Sequence, residues 1–254
     1  MAPTIESMIP TVQMAEELHS KYAPSQAAYN LIHTHCVIIA SLSKELAQQV
    51  NAHYKAVQAK SVYEPAKHDH SQDGPEGKGA ASPRLSGHHH DLAVPQRELD
   101  VDLVYLGGLL HDIGTYKILA SDGAEGRPLA FDHHYIQHGI AGYELLKDEG
   151  VDESIAQFAR NHTGVGLARQ QVQEEHLDIP VDDYLPQNLE QELVMYADNY
   201  HSKHQPPIFV SEQTAAKRTA RFGDDNLQRW RMLVTKYGVP DVAPLAQQYG
   251  MAIV

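Results

Sequence analysis

A chain of 254 residues, 42% hydrophobic and 21% charged, has the make-up of a soluble globular protein with room for one large domain or two small ones around a real core. Its formal charge of −13 leaves no broad basic face for nucleic acid, yet does not exclude a phosphate substrate, because a metal ion supplies positive charge locally. A single cysteine, Cys36, allows no internal disulfide; with no leader-like start and no run near the ~18 apolar residues of a membrane helix, the expectation is a cytoplasmic protein without a membrane partner.

Residues 1–23 read as a helical extension. From Ser25 the segment SQAAYNLIHTHCVIIASLSKELAQQVN sets Leu31, Ile38, Leu42 and Leu46 on one helical stripe, with His35 on it. Residues 64–97 are rich in Gly, Pro, Ser and His and carry no apolar periodicity. That composition predicts a flexible insertion, with His88, His89 and His90 as solvated loop residues. A second helix, Asp102 to Ile113, is apolar nearly all round, as a central buried helix should be, and Gly114 suits its C-cap. Inside it, Gly107 and Gly108 read as close helix packing, not as a phosphate loop.

A third helix is expected over His133–Glu149, stopping at Gly150. A fourth begins at the N-cap Asp152 with the stripe Val151, Ile155, Phe158 and His162. A fifth begins at Asn188, which stands at capping-box spacing from Gln191, and runs to about Lys203. From about Ser211, two or three short helices gather around Trp230, Leu233 and Leu245. No segment alternates apolar and polar residues over a sustained run, so the predicted fold is all-α. The expected organisation is a helical bundle over 24–205 carrying the 64–97 insertion, with a helical extension over 206–254 packed on it.

Histidines and acids fall on the inward faces of five successive helices: His35, His111 with Asp112, His138, His162 and Asp198. Any one of these alone is an ordinary core or surface residue. Four imidazoles and two carboxylates turned inward together are physically sensible when metal ions take up their lone pairs. His33 competes with His35 for the first position, and His133 and His134 compete with His138.

HxxxIA at His35, LLHDIG at His111 and Asp112, and YAD at Asp198 resemble the H…HD…D signature of the HD-domain metal-dependent phosphohydrolases. HGIAGYELL at His138 and IAQFARNHTGVGL around His162 resemble the subset with two further histidines, H…HD…H…H…D. The resemblance covers roughly residues 25–205 without the insertion. It favours His35 over His33, because Ile39, Ala40 and Ala47 then fall on the family's small and aliphatic positions, and His138 over its neighbours for the following Gly142 and Leu146.

The resemblance implies two divalent metals. His35, His111, Asp112 and Asp198 would hold one; Asp112 would bridge to a second completed by His138 and His162. His111 and Asp112 thereby become the catalytic pair. The donor set suits Fe, Mn, Co, Ni or Zn, and two ions roughly 3.5–4 Å apart activate a water for attack on phosphorus. The expected reaction is hydrolysis of a phosphomonoester, phosphodiester or phosphoanhydride in a small-molecule substrate, with nucleotides the leading class. A non-catalytic nucleotide or metal sensor, or a di-iron oxygenase, are the alternatives the signature permits. Many relatives have a lysine directly after HDIG; here Thr115 stands there, leaving Lys117, Arg160, Asn161 and Lys203 as candidates for the phosphate contact. Tyr116, Thr163, Asn199 and His201 also flank the expected ligands. Cys36 reads as a small buried thiol, not a nucleophile.

Overall fold

The computed structural model describes residues 7–63 and 96–254; the composition-based expectations for 64–95, including His88, His89 and His90, lie outside the described residues. Ten α-helices and two small two-stranded sheets make up the described chain.

Helix α1 (Val12–Tyr22) opens where Thr11 accepts a hydrogen bond from the Met14 amide, and it buries Ala15 and Leu18. Helix α2 (Gln26–Tyr63) is the long strut, with Ser25 accepting from the Ala28 amide at its start. Helix α3 (Val101–Leu110) begins at Asp100, whose carboxylate accepts from the Asp102 and Leu103 amides. These side chains satisfy amides that the first helical turn leaves without partners.

Two glycines let α3 sit against its neighbours. A Cβ on Gly107 would lie 2.3 Å from the Phe158 ring, and one on Gly108 would lie 2.6 Å from the Ala40 Cα, so α3 is wedged between α2 and α5 (Glu153–Arg160). The expected end of this helix at Ile113 with a Gly114 cap is corrected. The α-helix stops at Leu110, His111 is its cap residue, and a 3-10 turn follows over Ile113–Lys117. Gly114 serves a different need: a Cβ there would lie 2.1 Å from the His138 carbonyl oxygen and 2.2 Å from the Gly142 amide nitrogen, so it permits backbone contact with α4 (His138–Asp148).

Two further helix boundaries, a strand pair and a short helix differ from the periodicity reading. The helix expected from His133 begins at His138, after a 3-10 turn over Tyr135–Gln137. Between α3 and α4, β1 (Leu119–Asp122) pairs antiparallel with β2 (Leu129–Phe131) across a register shift, and such short strands carry too few residues to show alternation. Helix α6 (Arg169–Glu174) is a short piece between α5 and α7 (Leu189–Asp198). Helix α7 starts at Asn188, which accepts from the Gln191 amide, but it ends at Asp198 and not near Lys203. The chain then enters β3 (His201–Ser202), which pairs with β4 (Ile208–Phe209), and Phe209 in turn bridges to Ile253. Helices α8 (Glu212–Thr219), α9 (Asp224–Tyr237) and α10 (Ala243–Tyr249) complete the chain.

The apolar interior falls into two main clusters. One gathers Ile38, Leu42, Val104, Phe158, Tyr196 and Trp230, and draws on α9 and α10. The other gathers Ile32, Cys36, Leu109, Leu146, Ile155 and Ala159. Helices α2, α3 and α5 contribute residues to both clusters, and His35, His111 and His162 come from these same helices or their immediate ends. The polar set therefore sits on elements held rigid from two sides.

Candidate metal centre

The six residues that the signature singles out meet in one place, where their ligand atoms form three overlapping groups: His35, His111 and Asp112; His111, His162 and Asp198; and Asp112, His138 and His162. All but Asp198 are buried, and its side chain is 22% exposed toward a cleft. His35 Nε2 lies 3.2 Å from His111 Nε2, 3.0 Å from Asp198 Oδ1 and 3.3 Å from Asp112 Oδ2. On the other side, His138 Nε2 lies 2.9 Å from His162 Nε2, and the two nitrogens stand 3.7 and 3.8 Å from Asp112 Oδ1. Asp112 thus turns one oxygen to each histidine pair.

The backbone fixes which ring nitrogen is available. His111 Nδ1 donates to the Gly108 carbonyl at 2.7 Å, His138 Nδ1 to the Tyr135 carbonyl at 2.6 Å, and His162 Nδ1 to the Ala159 carbonyl at 2.7 Å. Each ring leans back on the carbonyl three residues before it. A carbonyl only accepts, so the proton of each neutral imidazole stays on Nδ1 and the lone pair is on Nε2. His35 reaches the same state by another route. Its Nδ1 lies 2.8 Å from His201 Nδ1, while His201 Nε2 lies 3.3 Å from the Met251 sulfur. With His201 donating to the sulfur, its Nδ1 accepts the His35 proton and His35 Nε2 is left bare.

Protonation does not relieve the convergence of bare nitrogens. Burial lowers His35 to about 4, with Lys203 adding to the effect, and lowers His162 to about 3, with His111 and His138 adding to it. His138 is lowered by burial as well. The His138 and His162 lone pairs, held 2.9 Å apart, repel unless a cation lies against them. Burial alone would raise Asp112, but Lys203, His138 and His35 outweigh it and hold the carboxyl below its ordinary range. His111 and His35 do the same for Asp198 against its own partial burial. Neutral imidazoles with Nδ1 fixed and ionised carboxylates are the donor set that divalent transition metals take, so the residues present fit such ions.

Thr115, which stands where many relatives carry lysine, donates to Asp112 Oδ1 at 2.6 Å and orients the carboxylate. The cation comes from elsewhere: the Lys203 ammonium pairs with Asp112 Oδ2, and its side chain is 10% exposed. Burial would lower this ammonium, but Asp112, Tyr135 and Asp198 raise it, so it holds its proton.

The other three phosphate candidates lie apart from this position. Lys117 is exposed, with its ammonium 5.0 Å from the centre of the Tyr22 ring. Arg160 pairs with Asp182 at 2.6 Å and stands 4.4 Å over the Tyr184 ring. Asn161 is buried beside His162, donating to Gln157 Oε1 at 2.7 Å and accepting from Arg160. Among the competing histidines, His33 pairs with Glu16 at 2.5 Å, and His133 and His134 are exposed. Burial pushes the Cys36 thiol well above its ordinary value, which leaves it protonated.

His201 lies against His35 at the candidate centre, in a strand and not on the continued helix that the periodicity implied. Continued α7 geometry treats it as one more flanking group, whereas strand β3 turns it behind His35, with Phe209 edge-on to its ring at 5.0 Å. Its signal in the sequence was only the HSK triplet after YAD, with an apolar IFV stretch available to pair against it.

A model of the HD domain matches residues 32–203, more than half of the chain. The uncharacterized protein MJ0778 of Methanocaldococcus jannaschii is 41% identical over 110 residues, covering 42% of this chain and 55% of that protein. A tRNA (cytidine(56)-2′-O)-methyltransferase of Picrophilus torridus is 37% identical over 100 residues, covering 39% of this chain and 24% of that enzyme. The matches therefore span about half, or less, of these relatives' own length. Among solved structures, the HD domain of L. monocytogenes phosphodiesterase PgpH in complex with cyclic-di-AMP aligns with 90% of this chain and 97% of its own, at 14% identity and a TM-score of 0.42. With the signature residues and the family match in agreement, the chain belongs to the HD-domain family.

Proposed function

We propose that this protein is a two-metal phosphohydrolase acting on a nucleotide. The observation that carries the reading is Asp112, whose two oxygens face separate histidine pairs with bare Nε2 atoms. His35, His111, Asp112 and Asp198 would hold one ion, and Asp112, His138 and His162 would hold a second. The histidine and carboxylate donors, with no thiolate among them, suit Fe, Mn, Co, Ni or Zn. Ions bound there would supply acidification of a water and charge to offset that on phosphoryl oxygens.

The remaining work belongs to the chain. Lys203 offers charged N–H donors at the edge of the cleft that holds Asp198, where a phosphoryl group can reach them. Thr115 keeps Asp112 from rotating, and the three backbone carbonyls keep the imidazoles from changing tautomer. Lys203 thereby takes the role that a lysine after HDIG has in many relatives.

Two measurements test this together. Anaerobically purified protein should contain about two transition-metal ions per chain, and with added Mn²⁺ it should release phosphate or a nucleoside monophosphate from a panel of nucleotides and phosphodiesters. Fewer than one ion per chain, or no release from any member of the panel, overturns the reading.

A further inference from the structure

Lys203 and Asp198 account for only one part of a larger depression. The cleft beside Asp198 has a volume of about 580 Å³ and is bounded by Phe131, Tyr135, Lys203 and Arg218, among others. Next to it lies a narrower slot of about 180 Å³ with Ile136, Leu177 and Phe222 in its walls. The two cavities share Asn199 and Arg218, so they adjoin at these residues. Together they have the volume of an ordinary small-molecule site.

The two shared residues differ in what they have left to offer. Asn199 is a fixed wall, its amide donating to the Gly164 and Met195 carbonyls, both at 2.9 Å. Arg218 is half-buried and makes no side-chain hydrogen bond or ion pair among the described residues, in a chain with 33 acidic residues. A guanidinium left without an acid beside a phosphate-handling centre is a ready fork for phosphate oxygens.

The slot suits a different part of the substrate. Phe222, at its wall, is 65% exposed among the described residues, a large and mostly uncovered aromatic surface. Polar side chains also line it. The Gln171 amide donates one N–H to Glu175 and the Asn226 amide one to the Phe222 carbonyl, so each keeps its acceptor oxygen and one further N–H. Apolar walls with a few amide donors and acceptors match a nucleobase, which has apolar faces and a polar edge of donors and acceptors, better than they match an aliphatic chain.

We propose that this slot is a nucleobase subsite and that Arg218 is the specificity residue which pairs with phosphate at its mouth. The inference rests on the phosphohydrolase reading above, but it concerns residues of α6, α8 and α9 and the loops beside them, and Arg218 and Phe222 lie beyond the 32–203 match. Specificity would then come from the C-terminal helices, and the metal set from the matched region.

Binding to the full-length protein as purified tests this without turnover. Calorimetry with a non-hydrolysable phosphonate analogue of AMP should give an affinity at least tenfold above that for ribose 5-phosphate. Arg218→Gln should weaken the AMP analogue at least tenfold and adenosine much less. Phe222→Ala, an exposed change that leaves the fold in place, should weaken adenosine and the analogue alike, by at least threefold. Equal affinity for the analogue and ribose 5-phosphate, or no loss in either variant, overturns the subsite. Failure of the Mn²⁺ hydrolysis panel, by contrast, overturns the phosphohydrolase reading and leaves this binding result to stand or fall separately.

Discussion

Two buried histidines, His19 and His111, meet the chain near one helix end, and they are satisfied in different ways. His19, on α1, donates from Nε2 to the Leu109 carbonyl at 2.7 Å and accepts at Nδ1 from the Tyr116 hydroxyl at 2.9 Å. Both of its ring nitrogens are spent within the protein. Two residues beyond Leu109, His111 spends only Nδ1 on a backbone carbonyl, and its Nε2 meets other nitrogens and carboxylates. Burial is the same for both, with each side chain fully enclosed. What distinguishes a structural histidine from a ligand is therefore the number of ring nitrogens with a proper partner, not depth.

The largest expected effect comes from the residue that joins the two histidine pairs. Asp112→Asn keeps the shape but removes the charge, and should lower phosphate release by at least about 10³-fold, more than one lost transition-state donor costs. Metal content should fall below one ion per chain while the far-ultraviolet circular dichroism stays unchanged. Retained activity would mean that the paired arrangement around Asp112 is not the reacting centre.

A smaller effect is expected one step back from the ligands. His201→Phe takes away the acceptor that holds the proton on His35 Nδ1. Loss of such an outer partner costs roughly 10–100-fold in metal affinity, and competition with a chelator of known affinity would measure it. An unchanged affinity would show that His35 is held in its tautomer by something else.

The periodicity of the sequence exposed the parts of this arrangement that ride on helix faces. His35, His138 and His162 were visible because each sits in register with an apolar stripe, and the caps Asp152 and Asn188 were visible because their bonds are local. Where the chain is held by distant partners, the same reasoning failed. Strand β3 exists because β4 and the C-terminal residues pair beside it, so α7 ends earlier than its own pattern implies, and His201 and Lys203 take positions no helical projection gives. Gly114 misled in a related way, since its lack of a side chain serves contact with α4 and not a helix cap. His19 carried no signal at all, because its partners are a backbone carbonyl 90 residues away and a tyrosine 97 residues away.

The histidine that is fully satisfied makes the opposite prediction from the ligands. His19→Phe leaves the Leu109 carbonyl and the Tyr116 hydroxyl unpaired and should cost about 1–3 kcal/mol of stability, with metal content unchanged. The loss should also depend on pH. Burial holds His19 neutral in the fold, lowered from an ordinary value of 6.5 to about 4. Between those values the unfolded chain takes up a proton that the folded chain refuses, so the stabilisation is complete above pH 6.5. It declines as pH falls and is gone below about pH 4; the full span is worth about 3 kcal/mol. Denaturant melts of the two proteins from pH 8 to 4 should therefore converge by that amount toward acid. A constant gap would mean that His19 takes up its proton inside the fold, and that the contrast between the satisfied ring and the open ones is not what keeps it neutral.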